Sequence, residues 1–273
     1  MSDTRDLPIG VFDSGLGGLT VVNAMQQALP GEHILYLGDN ARVPYGTRSP
    51  QTVERYAWNC ADFLMQRGLK MLVVACNTAS AVAVPSLKER LDIPVIGVIR
   101  AGAHAALRNP AHRRVGVIGT MGTIGTGAYP REIQALSPEV SVFQNPAPLL
   151  VPLVEEGWIT GDVPRLAVQK YIRPLVNASI DVLLLGCTHY PILEAVISNE
   201  LREMGSAADV VNSATAMATE VAAELEHFEL TRLHRDASGE LQCFVTDLPG
   251  SFAEVATRFL GTPIGDVVKV DIS

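Results

Sequence analysis

An α/β fold with mostly parallel sheets is predicted by three observations on this 273-residue sequence. Short runs rich in Val, Ile and Leu alternate with longer segments of helical periodicity along the chain. Those runs are continuous stretches of apolar residues that end in Gly-containing turns, the pattern of strands covered on both faces. The length accommodates one large or two ordinary domains, and two is the working expectation.

The strand-like runs are, in order, PIGVF (8–12), HILYL (33–37), MLVVA (71–75), PVIGV (94–98), RVGVI (114–118), VSVF (140–143) and DVLLL (181–185). LQCFV, around Cys243, reads as one more. One intervening helix is legible in detail. Ser49 can cap it, Pro50 suits the first turn, and Val53, Tyr56, Ala57, Cys60, Phe63 and Leu64 recur at helical spacing before Gly68 stops it. Cys60 lies on that apolar stripe and reads as a packing residue, as does Cys243.

Composition narrows the classes of function. Hydrophobic residues make up 48% and charged residues 18%, which suits a globular chain and excludes a disordered one. A net charge of −8 disfavours a phosphate backbone or an anionic membrane as general partner, so a small molecule is the expected ligand, with neither nucleic acid nor membrane involved. No apolar run approaches the roughly 20 residues needed to cross a bilayer. MSDTRDLPIG lacks the basic start and long apolar stretch of a secretory signal, so the expected location is cytoplasmic and the four cysteines are expected to be free thiols.

Two segments resemble each other. LVVACNTAS (72–80) and LLLGCTHYP (183–191) each run three apolar residues, a small residue, a cysteine and a polar residue, with a helical pattern after. Upstream, at similar distances, GVFDSGLGG (10–18) and GVIGTMGTI (116–124) each pair a strand with a Gly-rich turn. A duplicated α/β half explains the order. It would place Cys76 and Cys187 at the carboxyl ends of two buried strands, where open α/β sheets hold ligands.

Two thiols facing each other suit racemisation. One sulfur removes a proton from one face of a Cα while the other delivers a proton to the opposite face, and the roles reverse in the other direction. Each sulfur must approach that carbon to about 3–3.5 Å, so the pair is expected roughly 6–7 Å apart, beyond disulfide reach. A thiol titrates near 8.5, so a small shift gives one thiolate while its partner stays a thiol. His189, Asp13, Asp39 and Glu155 are the candidates for moving protons on and off sulfur.

Each feature has a plainer reading. A lone cysteine at a strand end is usually core packing, but two in matching polar contexts favour function. Cys187 and His189 lack the spaced third and fourth ligands of a zinc site, and no metal is expected. DSGLGG (13–18) lacks GxGxxG order and no Walker lysine appears, so a nucleotide is not expected. The turn is a tight strand-to-helix connection whose helix amides can also attract a carboxylate. Ser14, Asn77, Thr78 and Thr188 can cap, or can fix the amino and carboxylate groups of a ligand. GDNARVPYG (38–46) is either a binding loop or a structural connection.

FDSGLGGLTV, YLGDNARVPYG, VVACNTASA, GVIGTMGTI, LVPLVEEG and LLLGCTHYP together resemble the successive signature segments of the glutamate racemases, within the wider aspartate/glutamate racemase family, over residues 8 to about 191. The resemblance implies a cofactor-independent interconversion of L- and D-glutamate, without pyridoxal phosphate, that supplies D-glutamate for bacterial peptidoglycan. It implies that Cys76 acts on D-glutamate with Asp13 assisting, and Cys187 on L-glutamate with Glu155 and His189 assisting, while Asp39 supports. Substrate contacts are implied for Asp13, Ser14, Tyr45, Gly46, Asn77, Thr78, Thr123, Thr188 and His189, and the family usually forms a homodimer. The implied architecture is two pseudo-symmetric α/β domains with the site in the cleft between them. The first, 1–98 plus 211–273, carries Cys76, and the second, 99–210, carries Cys187. Asn40 and Gly122 stand where the family usually has Thr and Ala, and neither touches a thiol. An aspartate or hydantoin racemase of the same mechanism and a non-catalytic amino-acid-binding protein are the alternatives.

Overall fold

The computed structural model describes residues 3–233, 238–248, 250 and 252–272. Its strands are β1 (Ile9–Asp13), β2 (Ile34–Gly38), β3 (Met71–Val74), β4 (Val95–Gly97), β5 (Arg114–Gly119), β6 (Ser141–Pro146), β7 (Val182–Gly186), β8 (Asp209–Asn212), β9 (Leu241–Val245) and β10 (Val267–Lys269). The α-helices are α1 (Leu19–Ala28), α2 (Pro50–Met65), α3 (Asn77–Arg90), α4 (Val98–Ala106), α5 (Met121–Thr126), α6 (Ala128–Leu136), α7 (Leu150–Glu155), α8 (Asp162–Asn177), α9 (Glu194–Glu203), α10 (Ser213–His227) and α11 (Phe252–Leu260).

Two sheets form, ordered β10-β9-β2-β1-β3-β4 and β6-β5-β7-β8, and every pairing in both is parallel. The fold class is therefore α/β, as the continuous apolar runs predict. Four strands repeat the same order, β2-β1-β3-β4 in one sheet and β6-β5-β7-β8 in the other, so β3 and β7 hold equivalent places.

Burial explains why the strands read as unbroken apolar runs. Along β3, Met71 and Val73 face one cluster of buried side chains while Leu72 and Val74 face another. Along β7, Leu183 and Leu185 join the first cluster, and Val182 and Leu184 join a third. Alternate residues thus enter different cores and both faces stay dry, each large apolar side chain contributing about 1.5–3 kcal/mol by burial. The first cluster also takes Met217, Val221 and Leu225 from α10, which packs against α1 and α4.

The helix read from sequence forms as α2, with Ser49 accepting from the Thr52 amide and Pro50 in its first turn. Val53, Ala57, Cys60 and Leu64 are buried, and Tyr56 and Phe63 are half-buried. Cys60 and Cys243 are buried in apolar clusters, and all four cysteines are free thiols. Strands β8 and β10, short and largely unburied, carry no comparable sequence signal. Among the described residues no helix is long and apolar enough to cross a membrane.

Candidate active site

The carboxyl ends of β1, β3, β5 and β7 converge on one cleft. It encloses about 310 Å³, a volume suited to a small ligand, and both Cys76 and Cys187 line it. Cys76 directly follows Ala75 at the end of β3 and caps α3, its sulfur accepting from the Ala79 amide at 3.5 Å and its thiol donating to Ser14 Oγ at 3.5 Å. Cys187 directly follows β7, and both side chains are buried apart from a small accessible face. A larger open groove of about 640 Å³ lies along β4, lined by Lys88, Asp92, Arg100 and Glu220 among others. It holds no thiol and is more open to solvent, so the smaller cleft is the candidate site.

The cysteines meet unlike surroundings. On the Cys76 side, Asp13 ends β1 and is buried, with Oδ2 accepting from the Gly15 amide at 3.1 Å and Oδ1 without a well-formed hydrogen bond. Burial raises the Asp13 carboxyl above its ordinary range, against the opposing charge of His189. Burial, reinforced by the nearby Asp13 charge, pushes the Cys76 thiol up to about 12. A proton stays on that sulfur at neutral pH.

On the Cys187 side, His189 Nδ1 lies 3.8 Å from the Cys187 sulfur and 3.4 Å from Thr188 Oγ1, while Nε2 lies 3.0 Å from Glu155 Oε1. Burial works against a charge on this ring, yet the hydrogen bonds to Cys187 and Glu155 outweigh it and raise His189 to about 10. The imidazolium form is thus held between sulfur and carboxylate. The Phe259 ring packs against it at a centroid distance of 4.9 Å and an interplanar angle of 78°.

Polar side chains surround the space between the sulfurs. Tyr129 donates to Asn77 Oδ1 at 2.7 Å, which leaves Asn77 Nδ2 buried without a partner at the cleft wall. Thr78, Thr120 and Thr123 share hydrogen bonds of 3.0–3.1 Å among their hydroxyls. Two glycines permit close approach here. A Cβ on Gly17 would fall 2.2 Å from Thr188 Oγ1 and 2.6 Å from His189 Nδ1, and one on Gly122 would fall 2.9 Å from the Gly46 carbonyl oxygen.

Of the residues singled out from sequence, Ser14, Tyr45, Gly46, Cys76, Asn77, Thr78, Glu155, Cys187, Thr188 and His189 line the cleft. Asp13 lies just behind the wall, and Thr123 is fully buried and reaches the cleft through Thr78 and Thr120. Asp39 faces elsewhere. Its carboxylate accepts from the Tyr45 hydroxyl, from Arg42 Nε at 2.7 Å and from Thr246 Oγ1 at 3.0 Å, fixing loop 38–46 from beneath. Sequence reasoning left out Thr120 and the apolar wall of Met121, Pro148, Val151 and Pro152. Thr120 sits in the GVIGTMGTI turn, whose repeat partner supplied Asp13 and Ser14, so the duplication carried its signal. Met121, Val151 and Pro152 lie within the GVIGTMGTI and LVPLVEEG segments but were not singled out, and Pro148 had no signal. Among the described residues no group of three or more His, Cys, Asp and Glu side chains is placed to hold a metal ion.

Comparison with known proteins places the chain in a family. A family profile described as Asp/Glu/Hydantoin racemase matches residues 9–221. A glutamate racemase of Geobacter metallireducens is 48% identical over 264 residues, covering 97% of this chain and 96% of that protein. Among solved structures, glutamate racemase from Francisella tularensis in complex with D-glutamate superposes with a TM-score of 0.90 at 35% identity, covering 98% of each chain. A glutamate racemase isoform from Bacillus anthracis superposes with a TM-score of 0.92 at 39% identity, again covering 98% of each chain. With the profile spanning most of the sequence and the relatives nearly all of it, the chain belongs to the Asp/Glu/Hydantoin racemase family.

Proposed function

We propose that this chain is a glutamate racemase that inverts Cα with two cysteines and no cofactor. The observation that carries the reading is the pair of thiols at equivalent strand ends in one cleft, one kept protonated beside a buried carboxylate and the other beside an imidazolium. In the L-to-D direction Cys187, as thiolate, takes the Cα proton and Cys76, as thiol, returns a proton to the opposite face. The reverse direction exchanges the roles. His189, backed by Glu155, exchanges the proton on Cys187, and Asp13 does so for Cys76. For both sulfurs to reach one bound Cα, the mechanism requires them roughly 6–7 Å apart.

Asn77 Nδ2, the Thr78 and Thr188 hydroxyls, and Ser14 supply donors for the carboxylate and acceptors for the ammonium group, with Tyr45, Gly46 and, through Thr78, Thr123 shaping the wall. Fixed donors in a dry cleft stabilise the charge that develops on the substrate as its weakly acidic Cα–H breaks. Asp39 supports by holding Tyr45. The reading treats 1–98 with 211–273 as one unit and 99–210 as the other, the crossing near residue 210 falling inside β8. It extends to a cytoplasmic homodimer supplying D-glutamate for peptidoglycan, on the family resemblance alone.

The test offers each enantiomer of glutamate, aspartate and a hydantoin in heavy water and follows optical rotation and Cα deuterium. Glutamate alone is expected to lose rotation from either side, with one deuterium gained. Cys76→Ser and Cys187→Ser are each expected to cut two-way turnover by at least about 100-fold, the scale of a lost acid or base. Full two-way turnover in either variant refutes the two-cysteine assignment.

A further inference from the structure

We propose that Arg258 and Phe259, adjacent on α11, are positioning residues that hold Glu155 and His189 in the geometry with which they serve Cys187. The inference rests on the function proposed above. Neither side chain lines the cleft, so neither touches substrate.

Arg258 Nη1 donates to the carbonyls of Val154 at 3.0 Å and Glu155 at 2.6 Å, the closing residues of α7. The last carbonyls of a helix have no partner inside it, and a cation there also complements the helix dipole. At six residues α7 is too short to hold its own end, since so brief a helix depends on outside contacts. Arg258 supplies one. Glu254, one turn earlier on α11, reaches Arg258 Nη2 at 3.5 Å and helps to aim it. Gly157 lets the guanidinium approach, because a Cβ there would lie 2.7 Å from Nη2. The end of α7 is where the Glu155 side chain departs to meet His189 Nε2 at 3.0 Å.

Phe259 acts on the other member of the pair. Its buried ring stands at 78° to the imidazole, 4.9 Å between centroids, and blocks rotation of His189 about its bond to the chain. His189 is thereby fixed by Glu155 at one nitrogen, by Cys187 and Thr188 at the other, and by Phe259 at the ring face or edge. Asp13 is the further charge that this ring senses.

The deciding measurement compares primary isotope effects on the two sides. The enantiomers have equal free energy, so kcat/KM falls equally in both directions whichever half-reaction is impaired. Only the isotope effects reveal which sulfur has slowed. In Arg258→Met and Phe259→Leu, both still folded by circular dichroism, kcat/KM is expected to drop about 10-fold or more. The effect with 2-deuterated L-glutamate is expected to rise, and that with 2-deuterated D-glutamate to fall towards one. Arg258→Lys, which keeps a donor for the carbonyls, is expected to recover most of the rate, and Thr257→Ala on the same helix to change nothing. By NMR, the His189 titration is expected to move below its value of about 10 in both primary variants. Loss of the guanidinium charge by itself would move it upward, so a fall separates positioning from charge. Equal slowing with unchanged isotope effects, an undiminished rate, or an unmoved or raised His189 titration overturns the inference. If the unaltered protein fails to racemise glutamate, the proposed function falls, and the His189 titration still decides the positioning role.

Discussion

Cys76 and Cys187 occupy equivalent strand ends but differ in their neighbours, a carboxylate near one sulfur and an imidazole near the other. On the proposed mechanism, two identical environments would leave the choice of thiol and base unset, whereas these flanking residues set it in advance. That asymmetry has a thermodynamic trace. His189 is raised from 6.5 to about 10, so the folded state holds a proton that the unfolded chain releases first. Its contribution to stability is fully present below pH 6.5 and is lost as pH rises through 10. Cys76, raised from 9.0 to about 12, acts in the same sense at higher pH. Urea midpoints taken between pH 6 and 10 should fall for the unaltered protein and fall less for His189→Gln, and parallel curves would show that the pair holds no such proton. At this scale the sequence displayed the groups proposed to react because sulfur and imidazole stand out within apolar runs. It could not display direction, and Asp39, inside loop 38–46 and six residues before Tyr45, turns away from the cleft to anchor Arg42 and Tyr45.

The elements place these groups by a simple device. A parallel strand delivers its last residue to the same edge of the sheet as its neighbours, so Asp13 of β1 and Cys76 after β3 arrive together, as do Thr120 after β5 and Cys187 after β7. The turn after β1 then has to pass close to Thr188 and His189, and Gly17 is what allows it. Gly17→Ala is expected to leave the protein folded at a cost of about 1–3 kcal/mol, the usual range for overpacking. The new methyl group would meet the His189 ring, already clamped by Glu155, and a shift of that ring should lower kcat about 100-fold. Kinetics alongside a thermal melt check both halves, and wild-type turnover would mean that the turn can yield without moving His189. Strands of the interior were legible because both of their faces are buried, which forces unbroken runs such as Met71–Val74 and Val182–Gly186. Strands β8 and β10 were not, since each closes a sheet edge with partly exposed residues and owes its place to pairing with β7 and β9. No local pattern records a pairing.

At the scale of the whole molecule, the two sheets share one interior. Ile9 and Val11 of β1, Leu183 and Leu185 of β7, and Met217 and Val221 of α10 belong to a single buried cluster. The return of the chain after β8 makes this possible, because α10 packs on α1 and α4 and α11 packs on α1 while reaching α7 through Arg258. Unfolding either sheet alone would expose the face of the other. At about 1.5–3 kcal/mol per large apolar side chain, uncovering half a dozen of them costs about 9–18 kcal/mol, as much as the roughly 5–15 kcal/mol that stabilises an ordinary domain. A partly unfolded form is therefore expected to be scarcely populated, although the chain is long enough for intermediates. Its two tryptophans report on opposite sides of the cleft, Trp58 from α2 in the first sheet's outer layer and Trp158 from the turn after α7. In Trp58→Phe and Trp158→Phe, each with one reporter left, urea midpoints by fluorescence should coincide with the midpoint by far-ultraviolet circular dichroism within each variant. A separation of those midpoints would mean that the sheets unfold independently and that the shared cluster does not couple them.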